Sequence, residues 1–160
     1  MSENESGATK IVEKHMWWAA GAGLVPIPFL DVAAIAAVNL KMIKELTALY
    51  KVDFKEERAK NIITALTSGV GAGLLSGSAT VGAIIRVIPL IGQTAATITM
   101  PIFGGAVTYA IGNVFAQHLA VGGTLLDFDP AMARDAVAEA YQKGKDAILR
   151  KRATPRSSAA

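Results

Sequence analysis

The sequence predicts an all-α protein with two tandem apolar helical hairpins, each with a proline-containing turn, and a C-terminal amphipathic helix. No alternation of apolar and polar residues is long enough to predict a strand. Proline interrupts each of the two apolar runs, where it ends a helix and favours a turn. Between Asn61 and Gln117 the only charged side chain is Arg86. So long an uncharged stretch indicates either a bilayer or a large buried core.

The composition is that of a single domain of 160 residues with a modest core. Sixteen basic and 13 acidic residues give a net charge of +3, and the basic excess lies mainly at the C-terminus. Nucleic acid is not expected as a partner, because the chain lacks a basic stripe interleaved with aromatic residues. Cysteine is absent, which excludes disulfides, thiolate metal sites and cysteine nucleophiles.

The first hairpin is predicted to begin at Lys10 and to end near Tyr50. Its first helix cannot pass Pro26 and Pro28, which remove backbone donors and favour extended geometry in the residues before them. Asp31 follows this turn and is expected to cap the second helix. Its alternative role is a buried polar contact with another hairpin or subunit.

The second hairpin is predicted after a charged connection at residues 51–60. Its turn contains Pro89 and Gly92, and its second arm is expected to kink near Pro101. The last helix is predicted from Pro130 to Arg152. The expected division is therefore a disordered N-terminus, a hydrophobic hairpin domain, the amphipathic helix and a disordered tail, at residues 1–9, 10–126, 127–152 and 153–160.

Both hairpins are expected to contact lipid. Residues 16–40 contain two prolines and a carboxylate, so they are predicted as one kinked span or as a hairpin that returns to the side it left. Basic residues on both flanks favour the hairpin, with the termini in the cytoplasm. Each arm of the second run has about 25 residues and is long enough to span. The alternative is a soluble bundle whose oligomer partners replace lipid.

Small residues recur every four positions on both arms of the second hairpin, and they let helix backbones approach closely. On the first arm they are Ala65, Gly69, Gly73 and Gly77, and on the second arm Gly104, Thr108, Gly112 and Ala116. Two interpretations stay open. The arms pack on each other within one chain, or the strips form contacts between subunits of a homo-oligomer.

Two groups of residues are predicted at a membrane surface. Trp17 and Trp18 suit an anchor at head-group level, with core packing as the alternative. Arg150, Lys151 and Arg152 end the last helix, where cations favour the helix dipole. Their functional interpretation is contact with anionic head groups of the cytoplasmic leaflet.

No constellation of residues indicates catalysis. His15 and His118 are far apart, and neither has a carboxylate at the spacing of metal ligands. The serines lack a nearby base, and the glycine-rich residues 69–73 lack the lysine of a P-loop. We therefore expect no catalytic residues, no cofactor, no metal and no enzymatic activity.

Several stretches of the sequence combine proline, glycine and apolar residues in a recognisable pattern. They are Leu24–Asp31, Lys41–Leu46, Leu49, Tyr50, Val87–Gly92 and Thr108–Gly112. These stretches resemble the YcjF-like bacterial family of GTPase-associated proteins, known as domain of unknown function 697. The resemblance covers about residues 10–120 and implies a membrane-associated domain of the bacterial cytoplasmic membrane, joined to a small GTPase domain or found beside one. This chain has no P-loop motif, so a GTPase would be a separate partner.

The leading hypothesis is a non-enzymatic, membrane-embedded helical protein that self-assembles as a scaffold or membrane-shaping element, with a separate GTPase as a further partner. A second hypothesis is an oligomeric pore or transport component, lined by Gln93, Thr94, Thr97 and Thr99. A third is a soluble helical adaptor whose last helix docks a GTPase-like partner through Val137, Tyr141 and Ile148.

Overall fold

The computed structural model describes residues 2–24, 30–76 and 92–153, with side chains described for 2–24, 33–70 and 100–153. These residues form five α-helices and no strand, which confirms the all-α prediction. The helices are α1 (Glu3–Ala22), α2 (Leu30–Leu49), α3 (Glu56–Ser76), α4 (Gly92–Ala120) and α5 (Pro130–Ala153).

The N-terminal helix begins at Glu3, so the prediction of disorder over residues 1–9 is wrong for residues 3–9. A capping box explains the early start. The Ser2 hydroxyl accepts a hydrogen bond from the Glu5 amide at 3.2 Å, and the Glu5 carboxylate accepts one from the Ser2 amide at 2.6 Å. These bonds satisfy donors that a helix end leaves unpaired. Glu3 and Glu5 also place negative charge at the positive end of the helix dipole.

The central helix of the bundle is α4. It makes its most extensive contacts with α1 and α5 and further contacts with α2. Among its described side chains, Val107, Ile111 and Phe115 are fully buried. The absence of charged residues in α4 is therefore explained by burial against neighbouring helices of the same chain.

The arms of the predicted second hairpin are not each other's main partners. Among the helix pairs that make contact in the described ranges, α3 and α4 make the weakest contact, whereas α3 contacts α5 more extensively. For the described glycines of the strips, Gly69, Gly104 and Gly112, the interpretation that the two strips pack on each other is wrong, because these glycines face α1, α2 or α5 instead. Small residues show that a backbone approaches closely, but they do not identify which helix approaches.

Four helices each direct one terminus towards the same end of the bundle. Gly23, the C-cap of α1, lies so close to α4 that an added Cβ would be 2.7 Å from the Pro101 backbone nitrogen. Near the same level, Ile35 of α2 lies over Gly104. Ile148 of α5 likewise lies over the next residue of α4, Gly105. The C-termini of α1 and α5 and the N-termini of α2 and α4 thus share what we call the tryptophan end.

Two described connections lie at the opposite end, which we call the loop end. They are residues 50–55, between α2 and α3, and residues 121–129, between α4 and α5. Arg58, in the first turn of α3, holds the second connection, because its guanidinium donates to the carbonyl oxygens of Leu125 at 3.1 Å and Phe128 at 2.9 Å. Asp129 accepts from the amide of residue 131 at 2.8 Å and so caps α5 as predicted.

Within the described ranges, no helix combines the length and hydropathy needed to cross a membrane. The spans predicted for the two arms of the second hairpin are therefore not found in α3 and α4.

Several predicted turn residues lie outside the described ranges. They are Pro26, Pro28 and Pro89, together with Gly77 of the first strip. Gly92 is the first residue of α4. The prediction that Asp31 precedes its helix is wrong, because α2 begins at Leu30 and places Asp31 in the first turn.

Candidate functional site

Trp18 lies at the centre of a charged cluster on the α1–α2 seam. Its side chain is 45% exposed. The Lys14 ammonium lies 5.3 Å and the Lys41 ammonium 4.8 Å from the indole ring centroid, within the range of cation–π attraction. Lys14 also forms an ion pair with Glu45 at 2.6 Å. The predicted surface role of Trp18 is thus compatible with its exposure, and the alternative of core packing does not apply to it.

His15 lies beneath Trp18 and is fully buried. Its ring meets the edge of the Trp18 ring at a centroid distance of 5.0 Å. Nδ1 lies 2.8 Å from the carbonyl oxygen of Ile11, and because a carbonyl can only accept, Nδ1 carries the proton. Nε2 lies 3.5 Å from Glu45 Oε1 and makes no hydrogen bond. Burial lowers the pKa of His15, although Ile11 and Glu45 oppose this effect.

Trp17 is partly buried and lies next to the last turn of α5. The Lys151 ammonium is 4.6 Å from its ring centroid. This contact joins the two groups predicted at a membrane surface, which are separated by most of the sequence. Arg150 and Arg152 flank Lys151 and are exposed.

Two exposed leucines complete the tryptophan end. Leu24 follows α1 and is 57% exposed, and Leu149 lies in the last turns of α5 and is 40% exposed. Apolar side chains, amphipathic indole rings and cations therefore occur together at this end. That combination is typical of protein surfaces at lipid head groups, where indoles and long basic side chains place an apolar part in lipid and a polar part in water.

The predicted packing glycines of α4 fit α1 and α2. A Cβ added at Gly104 would lie 2.8 Å from Ile35 Cδ1, and one added at Gly112 would lie 2.7 Å from Val12 Cγ2. Gly69 of α3 instead faces Arg134 of α5 at 3.7 Å. The surroundings of Gly73 lie outside the described side chains.

Two further glycines position α5 and were not predicted. A Cβ at Gly105 would lie 2.6 Å from Ile148 Cδ1, and one at Gly144 would lie 2.8 Å from Tyr109 Cδ1. Gly144 stands inside an otherwise regular amphipathic helix, where glycine is costly. A glycine kept inside a helix at that cost is the sequence feature that could have predicted a close contact at this position.

The polar residues considered for chemistry have structural neighbours. His118 Nε2 lies 2.9 Å from the carbonyl oxygen of Thr124 and 3.3 Å from Asp127. Hydrogen bonds from Thr124 lower the pKa of Asp127 to about 2. In the part of the chain that the structure describes, no three histidine, aspartate or glutamate side chains are grouped as metal ligands.

The structure bears on the adaptor hypothesis, whereas the residues of the pore hypothesis lie outside its described side chains. The adaptor hypothesis assigned partner docking to Val137, Tyr141 and Ile148, but these side chains are buried within the chain's own bundle. The assignment of that surface is therefore wrong, because α4 already covers much of it. The polar residues proposed to line a pore lie at 93–99, where side chains are outside the described ranges.

Comparisons with known proteins agree with the resemblance seen in the sequence. The chain is similar to magnetosome membrane protein 22 of Magnetospirillum gryphiswaldense, with 33% identity over 138 residues, which cover 86% of this chain and 70% of the relative. No solved structure matches the chain. The family model for a domain of unknown function, DUF697, matches residues 1–146. The chain therefore belongs to the DUF697 family.

Proposed function

We propose that this protein is a non-enzymatic membrane protein that meets the lipid surface through its tryptophan end and self-assembles as a scaffold or membrane-shaping element. The observation that carries this proposal is the meeting of Trp17, Trp18, Leu24 and Leu149 with basic side chains at one end of the bundle. We place this end at the cytoplasmic leaflet of a bacterial membrane, with both termini on the cytoplasmic side.

The sequence of the neighbouring segments supports this orientation. Residues 25–29 and 77–91 contain one charged side chain between them, Arg86. The flanking residues Leu24, Leu30 and Gly92 belong to helix termini at the tryptophan end. The relative's name, magnetosome membrane protein 22, also supports a membrane location.

The polar clusters favour a structural role over catalysis. The His15 ring packs between Ile11, Trp18 and Glu45, and His118 holds the 121–129 loop. A separate GTPase is proposed as a partner on the strength of the family resemblance. Crosslinking and mass measurement of the purified assembly would test self-assembly, and a strictly monomeric protein in detergent and in lipid would contradict it.

Vesicle flotation of the full chain tests the membrane surface. Lys41, Lys151 and Arg152 should be changed together to Gln. Each cation near an anionic surface contributes about 1 kcal/mol, so the triple variant should bind anionic vesicles roughly 100-fold more weakly. Binding of the wild-type chain should fall with added salt for the same reason.

A matched control removes the same charge from the loop end. Changing Lys51, Lys55 and Lys60 to Gln should leave vesicle binding within about twofold of wild type, because charges beyond a Debye length are screened. Equal losses in the two triple variants would show that only net charge matters. Failure of the wild-type protein to float with anionic vesicles at low salt would contradict the membrane location itself.

A further inference from the structure

A cleft between α3 and α5 has the features of a small-molecule site. Its volume is about 310 Å³, at the lower end of the range for ligand pockets. Leu66, Gly69 and Val70 of α3 form one wall, and Val137 and Tyr141 of α5 form the other. The walls are therefore mainly apolar.

One polar group inside the cleft lacks a partner. Tyr141 is only 6% exposed and lines the cleft. Its ring packs near Phe103, but among the described residues its hydroxyl makes no hydrogen bond. Burial raises the pKa of Tyr141, so the hydroxyl keeps its proton near neutral pH and can donate. The hydroxyl can therefore donate a hydrogen bond to an oxygen atom of a ligand in the cleft.

The cleft also has two charged residues on its edge. Arg134 lies over Gly69, with Nε 3.7 Å from the position of an added Cβ, and it forms no ion pair in the described part of the chain. Asp135 lines the cleft beside Arg134, and the two side chains do not pair with each other. An anionic group would be attracted by Arg134 and opposed by Asp135.

We propose that this cleft binds an anionic amphiphile, whose apolar body lies between α3 and α5. Its carboxylate or phosphate head pairs with Arg134, and Tyr141 donates a hydrogen bond to one of its oxygen atoms. The inference goes beyond the proposed membrane role, because the cleft does not include the tryptophans or the basic end of α5.

Ligand titrations of the full chain in nanodiscs of neutral lipid test this site. The ligands are octanoate and octyl phosphate, kept below the concentrations at which they form micelles, and octanol, kept below its solubility limit. Ring signals of ¹³C-labelled tyrosine report binding, with Tyr141 identified through Tyr141→Phe and Tyr50 as the internal control. Octanoate and octyl phosphate should shift the Tyr141 signal saturably, and octanol should bind about tenfold more weakly because it lacks the charge.

Two charge variants give opposite expected results. Arg134→Gln should weaken both anions about tenfold, and Asp135→Asn should strengthen them, because it removes the opposing carboxylate. Arg152→Gln, outside the cleft, should change neither. Gly69→Leu should block the cleft at unchanged melting temperature, and Ala138→Leu provides a second blocking variant.

The proposal is overturned if the anions give no saturable Tyr141 shift, or if octanol binds as well as octanoate. It is also overturned if Arg134→Gln and Asp135→Asn leave anion affinity unchanged. A difference between octanoate and octyl phosphate would identify the preferred head group. Vesicle flotation is a separate readout, so failure here leaves the membrane proposal to be judged on its own test.

Discussion

At the scale of single residues, His15 shows how burial changes an ordinary side chain. The ring is fully buried between α1 and α2, with Lys14 from its own helix and Glu45 and Lys41 from α2 as the charged groups that act on it. The desolvation cost falls on the protonated form and lowers the pKa. At His15, the folded state therefore binds a proton less readily than the unfolded chain does.

This difference predicts that stability falls in mild acid. Above the unfolded pKa of about 6.5, both states are neutral at His15 and the full stability is present. As pH falls through that value, the unfolded state gains protons first, so the free energy of unfolding decreases until the folded pKa is also passed. Chemical denaturation at about pH 7.5 and pH 5.5 measures this loss.

A variant without the buried imidazole should lose this part of the pH dependence of the unfolding free energy. His15→Leu is expected to flatten the change in unfolding free energy over that range, because it removes the buried imidazole whose pKa is lowered. An unchanged slope in His15→Leu would show that burial of His15 does not govern the acid response.

The two tryptophans show what the sequence could and could not predict at this scale. The adjacent indoles predicted an anchor at a membrane surface, and the exposure of Trp18 is compatible with that prediction. The contact between Trp17 and Lys151 could not be predicted from local sequence, because it depends on how α5 packs along α4. The unpartnered hydroxyl of Tyr141 was missed for the same reason, since Tyr141 looked like an ordinary member of an apolar helix face.

At the scale of helices, the start of α5 and the all-α fold class were predictable from local sequence rules. Asp129 before Pro130 combines a side-chain acceptor with a residue that needs no amide donor. The start of α1 was missed because Ser2 and Glu5 were interpreted as part of a polar tail, although their spacing is that of a capping box. Helix partners were not predictable, because small residues on α4 suit any neighbour.

The seam of α1, α2 and α4 provides a test of the packing. Gly112→Val should lower the free energy of unfolding by about 1–3 kcal/mol, because its side chain would overlap with neighbouring helices. The first added carbon would already lie 2.7 Å from Val12 Cγ2 and 2.8 Å from Met42 Sδ. Thermal or chemical denaturation of the purified protein measures the loss.

Gly21→Ala is the matched control on α1. An added Cβ there meets nothing within 4 Å, so this change should stabilise the helix by about 0.5–1 kcal/mol. If Gly112→Val is as stable as wild type, then α4 does not pack against α1 and α2 at this position.

At the scale of the whole molecule, the two ends of the bundle differ in chemistry. The tryptophan end combines indoles, cations and exposed leucines. The loop end carries the hydrogen-bonded 121–129 loop, with Val121 85% exposed and Met132, nearby in α5, 84% exposed. Apolar exposure alone does not separate the ends, so the end that contacts lipid has to be measured.

Spin labels placed at both ends measure this directly. The chain has no cysteine, so Leu24→Cys, Leu149→Cys, Val121→Cys and Met132→Cys each introduce a unique labelling site at an exposed position. In lipid vesicles, labels at residues 24 and 149 should be more accessible to oxygen than to a water-soluble nickel chelate, and labels at 121 and 132 should show the reverse. Equal chelate access at all four sites, or lipid exposure only at 121 and 132, would contradict the proposal that the tryptophan end meets the membrane.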